Sequence, residues 1–284
     1  MQSPVPEIPR LFASRSILFV PGSRPDRFAR ARDAGAGLTI IDLEDAVPGD
    51  AKAGARDSAL TQVAGGDGGW AIRMNGVATA AGIADLAAFG DAPNLPAFLF
   101  LPMVESARDC EIVAAALGPR CPSLVPLIET PRGLRHALEV AGAPGVGAVM
   151  FGGGDFAGEL GVQLSWEPLL LARQTLLLAC AEARVPAIDV PFLGLDDEAG
   201  LALECDRARA LGFVAKAAIH PRQIAAIETA FRPDEREIAE ALDAIAAFDA
   251  AGGQVIRHRG RMLEAPVMKH YRAIIARSEG QQDA

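Results

Sequence analysis

The chain has 284 residues, half of them hydrophobic, and a formal net charge of −9. That is ample material for one large core or two small ones, and the acidic balance argues against a nucleic-acid partner, which wants a basic face. No apolar run approaches the ~18 residues that cross a bilayer, and the opening MQSPVPEIPRLFASRS carries prolines and an acid where a secretory leader has its apolar core. No membrane association and a cytoplasmic location are the expectations.

Eight short apolar runs then follow one another, most of them too apolar to be half-exposed antiparallel strands. SILFVP (16–21) leads through a helix-like PDRFARARDAG (25–35) to LTIIDLED (38–45), GWAIRMN (69–75) and AFLFLPM (97–103). SARDCEIVAAALG (106–118) and SLVPLIET (123–130) come next. TPRGLRHALEVAG (130–142) has Thr and Pro at its start and Gly at its end, the marks of a helix. VGAVMFGGGD (146–155), the long WEPLLLARQTLLLACAEAR (166–184), VPAIDVPF (185–192), DEAGLALECDRARALG (197–212) and FVAKAAIH (213–220) complete the series. Strand–helix alternation of this kind predicts an α/β fold, a (β/α)₈ TIM barrel over residues 1–222. An open doubly wound sheet is the rival, disfavoured because no G-x-G-x-x-G follows the first strand. Residues 223–284 hold a helix (234–253), a hairpin-like VIRHRGRMLEAP (255–266) and a last helix (268–279). They read as a C-terminal helical extension and lid.

Chemistry in such a barrel sits at the C-terminal ends of the strands. There the sequence offers Asp42, Glu44, Asp45, Arg73, Asn75, Glu129, Asp155, Asp189, Lys216 and His220. A carboxylate ending an apolar run is costly unless it meets a cation or donors, and Glu129 and Asp155 do so on consecutive strands. Oxygen donors without nearby His or Cys favour Mg²⁺ or Mn²⁺ over zinc. The same two carboxylates also suit structural roles, Asp155 as the N-cap of the following helix. The glycines of FGGGDF, Gly153 and Gly154 among them, open a backbone approach for an anion at a helix N-terminus. Arg24, in the loop of PGSRPDR, is the phosphate candidate, whereas Arg27 and Arg30 read as a solvated face. Lys216 has no visible reason to lose its proton and act as a Schiff base. The four cysteines have no C-x-x-C spacing and read as small apolar fillers.

The motifs RSILFVPGSRPDRF, IIDLEDAV, IRMN, LPMVES, LIETPRGL, MFGGGDFAGELG, AIDVPF and ARALGFVAKAAIHPRQI, in register over roughly 15–275, resemble the citrate lyase β-subunit-like CoA-ester lyases of the HpcH/HpaI aldolase superfamily. The resemblance implies a Mg²⁺-dependent barrel, a homotrimer or homohexamer. It makes or breaks a carbon–carbon bond between an acyl-CoA and a small 2-oxo acid, the CoA thioester being substrate. It implies Glu129 and Asp155 as metal ligands, Glu44 and Asp45 behind them, Arg73 on the substrate, and the glycine turn on the oxo-acid carboxylate. Two positions depart from the pattern. Met103 replaces a frequent Lys, and Glu264 replaces the Asp that serves as acid/base on a lid reaching a neighbouring subunit. The expected substrates are malyl-, citramalyl- or citryl-CoA. The alternatives are a CoA-independent 2-oxo-acid aldolase and a citrate lyase β subunit working on a partner-borne acyl group.

Overall fold

The computed structural model describes residues 15–65 and 69–279. The reading of the N-terminal stretch as free of a leader falls on residues 1–14 and lies outside the described residues. Two compact units divide after Glu228, within a helix rather than at 222.

The first unit is a closed barrel of eight parallel strands in sequential order. They are β1 (Ser16–Pro21), β2 (Leu38–Asp42), β3 (Trp70–Arg73), β4 (Phe98–Leu101), β5 (Ser123–Ile128), β6 (Val149–Phe151), β7 (Ala187–Asp189) and β8 (Ala215–Ala218). Pairing of Ile17 with Ala217 and Leu18 with Ala218 closes the ring. Around it run α1 (Phe28–Asp33), α2 (Lys52–Ala64), α3 (Ala80–Asp91), α4 (Ala107–Leu117), α5 (Pro131–Arg135), α6 (Ala137–Ala141), α7 (Gly153–Leu160), α8 (Trp166–Ala183), α9 (Glu198–Leu211) and α10 (Ile224–Phe231). Caps set several starts: Thr130 Oγ1 accepts the Gly133 N–H at 3.0 Å ahead of α5, and Ser106 and Asp109 form a capping box on α4.

Strand side chains alternate between two faces, and the alternation decides everything that follows. Ile17, Ile40, Ala71, Val125, Leu127, Met150, Ile188 and Ala217 all belong to the buried cluster that fills the barrel. Their neighbours Ile41, Ile72, Leu124, Val149 and Phe151, equally buried, face the helix layer. Both faces of each strand are covered, which is why the runs read as continuously apolar.

Three local features differ from the sequence reading. The helix expected over 130–142 is broken at His136, whose N–H bonds back three residues to Gly133 while its ring Nδ1 lies 2.9 Å from the Glu105 carbonyl. α7 begins at Gly153 with Gly152 as its cap, so Asp155 stands in the first turn instead of capping it. A carboxylate there still meets the favourable end of the helix dipole. The glycines expected as a turn are themselves that first turn.

The second unit holds α11 (Glu235–Ala250), a hairpin of β9 (Ile256–His258) and β10 (Arg261–Leu263), and α12 (Ala265–Glu279). Arg259 and Gly260, both at positive φ (46° and 82°), make the two-residue turn that matches the twist of a hairpin. Phe248, Leu263, Met268 and Tyr271 form its core. Glu264 follows β10, and its carbonyl accepts the Met268 N–H at 3.1 Å as α12 starts.

Candidate active site

One step beyond the barrel core, the inward columns reach the C-terminal mouth. Two residues on from Ile40, Ala71, Leu127, Met150, Ile188 and Ala217 stand Asp42, Arg73, Glu129, Gly152, Val190 and Ile219. All six line one cavity of about 440 Å³, floored by Leu127 and Met150. The same parity turns Asp189 and Lys216 away from it. They face the helix layer, where Lys216 Nζ donates to Asp189, to Glu204 of α9 and to the Val190 carbonyl, each at 2.7 Å. Arg173 of α8 donates from Nε to Asp189 at 2.9 Å, its guanidinium lying over the Trp166 and Phe151 rings. Burial alone would raise Asp189 and lower Lys216. Their mutual attraction, helped by Arg173 and Glu204, reverses both shifts, so Asp189 stays low and Lys216 high. The expectation that these two join the catalytic mouth is therefore corrected: they are a buried strut between barrel and helices. Arg173 and Glu204 carried no sequence signal, since each is one charged residue on an ordinary helix.

Asn75 is likewise structural, donating from Nδ2 to Asp85 of α3 at 2.7 Å, while Arg56 of α2 pairs with the other Asp85 oxygen at 2.9 Å. His220 caps the turn after β8, its Nδ1 accepting the Arg222 N–H at 3.2 Å. Arg24 is exposed and forks onto Asp26 at 2.8 and 2.7 Å, outside the cavity lining. Cys110, Cys180 and Cys205 are buried, and burial pushes their thiols up to about 12.

Arg73 is the cation of the mouth, and it is held fast. Its Nε and Nη2 grip both oxygens of Asp42 at 2.7 Å. Nη1 lies 2.8 Å from Glu44 Oε2 and 3.3 Å from Asp45 Oδ2. The Glu44 contact is an ion pair without hydrogen-bond alignment, since that oxygen has no hydrogen-bond partner. Phe19 lies under the guanidinium, 5.1 Å from its centre. Burial would lower the Arg73 pKa, but the three carboxylates keep it above the ordinary value. Asp42 does more than its place at a strand end predicts. Besides the fork it accepts the N–H groups of Glu44 and Ala46, so it shapes the loop that carries Asp45.

Glu129 is buried. Its Oε2 accepts the Met103 N–H at 2.6 Å, and Met103 adopts φ 54° to aim that donor. Burial raises the Glu129 pKa to about 7 against this hydrogen bond, and burial raises Glu44 to about 8 against Arg73. Asp155, across the glycines, is raised by desolvation and by Asp45. Of the two glycines, Gly154 lines the cavity with open space beside it. Gly153 is packed against Phe151, Leu164 and Val190. Among the described residues no three His, Cys, Asp or Glu side chains form a ready metal cage. Two carboxylates, with water and substrate completing the shell, are nonetheless what Mg²⁺ commonly uses, and carboxyls pushed upward by burial are what a cation relieves. The residues fit the ion.

The molecule is a (β/α)₈ barrel with acidic oxygen donors at the C-terminal mouth, where barrels of this kind carry their chemistry. The chain belongs to the HpcH/HpaI aldolase/citrate lyase family, whose model matches residues 15–221. It is 38% identical over 244 residues, 84% of each chain, to a (3S)-malyl-CoA thioesterase of Cereibacter sphaeroides. It is 30% identical over 304 residues to an L-malyl-CoA/beta-methylmalyl-CoA lyase of the same organism, covering 94% of this chain and 95% of the relative. It also superimposes on CitE of Mycobacterium tuberculosis in complex with magnesium, acetoacetate and coenzyme A. There the TM-score is 0.80 and the identity 30%, over 94% of this chain and 98% of that one. No helix among the described residues is long and apolar enough to cross a membrane.

Proposed function

We propose that this protein is a Mg²⁺-dependent carbon–carbon lyase that cleaves a β-hydroxyacyl-CoA, such as malyl-, citramalyl- or citryl-CoA, into an acyl-CoA and a 2-oxo acid. The observation that carries the reading is the convergence of Glu129, Asp155 and Arg73 on one cavity in a chain of this family. Glu129 and Asp155 would hold the ion, which when bound supplies Lewis-acid stabilisation of charge on the alcohol oxygen. Arg73, fixed by Asp42, Glu44 and Asp45, contributes a positive charge that needs no reorganisation as negative charge develops. Gly154 leaves room for the oxo-acid carboxylate beside the start of α7. Glu264, delivered from an adjacent subunit of a homotrimer or homohexamer, takes the hydroxyl proton. The carbon–carbon bond then breaks, its electron pair passes to the thioester enolate, and a proton returns to that carbon. Arg24, whose exposed pair with Asp26 is worth little by itself, is the CoA phosphate contact.

A second reading, hydrolysis of the thioester, is favoured by the 38% identical relative named as a thioesterase. One experiment separates the two. Malyl-, methylmalyl-, citramalyl- and citryl-CoA are each incubated with Mg²⁺ and the products identified by mass spectrometry. An acyl-CoA with a 2-oxo acid, lost on chelation, is the expected result. Free CoA with an intact hydroxy acid would assign the thioesterase. Inert CoA esters, with turnover of a free hydroxy-oxo acid or of a protein-borne acyl group assayed in parallel, would assign the CoA-independent aldolase or the citrate lyase subunit.

A further inference from the structure

The cavity is divided around the ring. Its polar residues come from the ends of β2, β3, β5 and β6: Asp42 and Asp45, Arg73, Glu129 and Asp155. The following arc, β7, β8 and β1, supplies Val190, Pro191, Leu193, Ile219, Phe19 and Pro21, with no charge and no side-chain hydrogen-bonding group. Leu193 and Ile219 are 59% and 41% exposed, an arrangement that costs free energy unless a ligand covers it. Among the described residues lining the cavity, Arg73 is the single cation. Its three nitrogens already face Asp42, Glu44 and Asp45. Arg24, after β1, pairs with Asp26 outside the cavity lining, and Lys216 is held by Asp189 and Glu204 behind the barrel wall.

We infer that the 2-oxo acid handled here carries a single carboxylate and a small apolar substituent, the class of pyruvate and 2-oxobutyrate, and that dicarboxylic oxo acids of the oxaloacetate class are rejected. The inference rests on the lyase reading for which bond is broken, and on the cavity lining for which oxo acid is released. One carboxylate has a place beside Gly154 and the ion. A second would meet either the apolar arc, where a charge without a partner is costly, or the three carboxylates of Asp42, Glu44 and Asp45 already gathered on the Arg73 guanidinium. A methyl or ethyl group on the same carbon instead covers Val190, Leu193 and Ile219, and each buried methylene favours binding by about 0.8 kcal/mol, roughly fourfold.

The decisive pair is 2-oxobutyrate and oxaloacetate, which share a four-carbon chain and differ at its end. Each is titrated, oxaloacetate freshly dissolved, into the Mg²⁺-loaded protein by calorimetry, with pyruvate alongside. The expected result is binding of 2-oxobutyrate and pyruvate at least about tenfold tighter than oxaloacetate. Leu193→Arg, at an exposed position able to accept the side chain, narrows that ratio or inverts it by giving the second carboxylate a partner. Equal or tighter binding of oxaloacetate to the unaltered protein overturns the inference, and so does failure of all three acids to bind. If the order holds while no CoA ester is cleaved, the lyase reading fails alone. If citramalyl-CoA is cleaved but oxaloacetate binds best, the inference fails alone.

Discussion

Glu129 and Lys216 illustrate how a single step along a strand separates two chemistries. Glu129 stands two residues past the inward Leu127 and enters the mouth, whereas Lys216 lies between the inward Ala215 and Ala217 and points into the helix layer. Gly152 belongs to the same inward set, and its lack of a side chain has a definite cause. A Cβ there would lie 2.1 Å from Glu129 Cγ and 2.5 Å from Oε1, a distance no packing tolerates. Gly152→Ala should therefore displace the Glu129 carboxylate. Overpacking of this kind costs about 1–3 kcal/mol, and disturbing the support of a ligand lowers metal affinity about tenfold or more. Calorimetric titration of Mg²⁺ against the unaltered protein measures the second effect. Unchanged affinity would mean that Glu129 is not a ligand in the position seen here.

At the level of elements, the barrel is pinned to its outer layer by charge as well as by apolar packing. β7 and β8 present Asp189 and Lys216 to Arg173 on α8 and Glu204 on α9, with Lys216 and Asp189 wholly buried. Asp189, held low, contributes stability above the ordinary carboxylate range that is lost as pH falls through its depressed value. Lys216, held high, contributes stability below the ordinary lysine range that is lost as pH rises through its elevated value. The network should thus stabilise fully across the neutral range and fail at both extremes. Removing one partner of a buried pair strands the other. Lys216→Met is expected to cost about 3 kcal/mol or more at pH 7, and Asp189→Asn combined with it less than the two single losses together. Urea denaturation across pH tests this, and a loss below about 1 kcal/mol in the single variant would show the network to be dispensable.

At the scale of the whole molecule, the two units carry different parts of the proposed machinery, the cavity in one and Glu264 in the other. If the acid crosses between subunits, two inactive variants restore each other. Glu264→Gln and Asp155→Ala are mixed under conditions in which subunit exchange is verified by mass spectrometry of labelled chains. Some mixed sites then hold both an intact Asp155 and an intact Glu264, and cleavage returns to a fraction of the unaltered rate. Confirmed exchange without recovered cleavage would confine Glu264 to its own chain or to no catalytic role.

The sequence by itself determined the barrel, because strands buried on both faces leave continuous apolar runs that no other position in the fold requires. β1 was legible to the residue, Ser16–Pro21, and Glu129, Arg73 and Asp155 were legible as charges ending such runs. α2 and α3 gave no comparable signal. Ala55 and Ala59 are the core-facing residues of α2, and two glycines interrupt α3, so neither has a bulky apolar stripe. What only the tertiary structure decided was direction and partnership. Alternation sends Asp189 outward and Asp42 inward, although both end strands of similar composition. Whether Arg73 is free or clamped depends on a loop after β2 folding back over β3. The division of the mouth into a charged arc and an apolar one follows from closing β8 against β1, since only the closed ring places β7, β8 and β1 side by side.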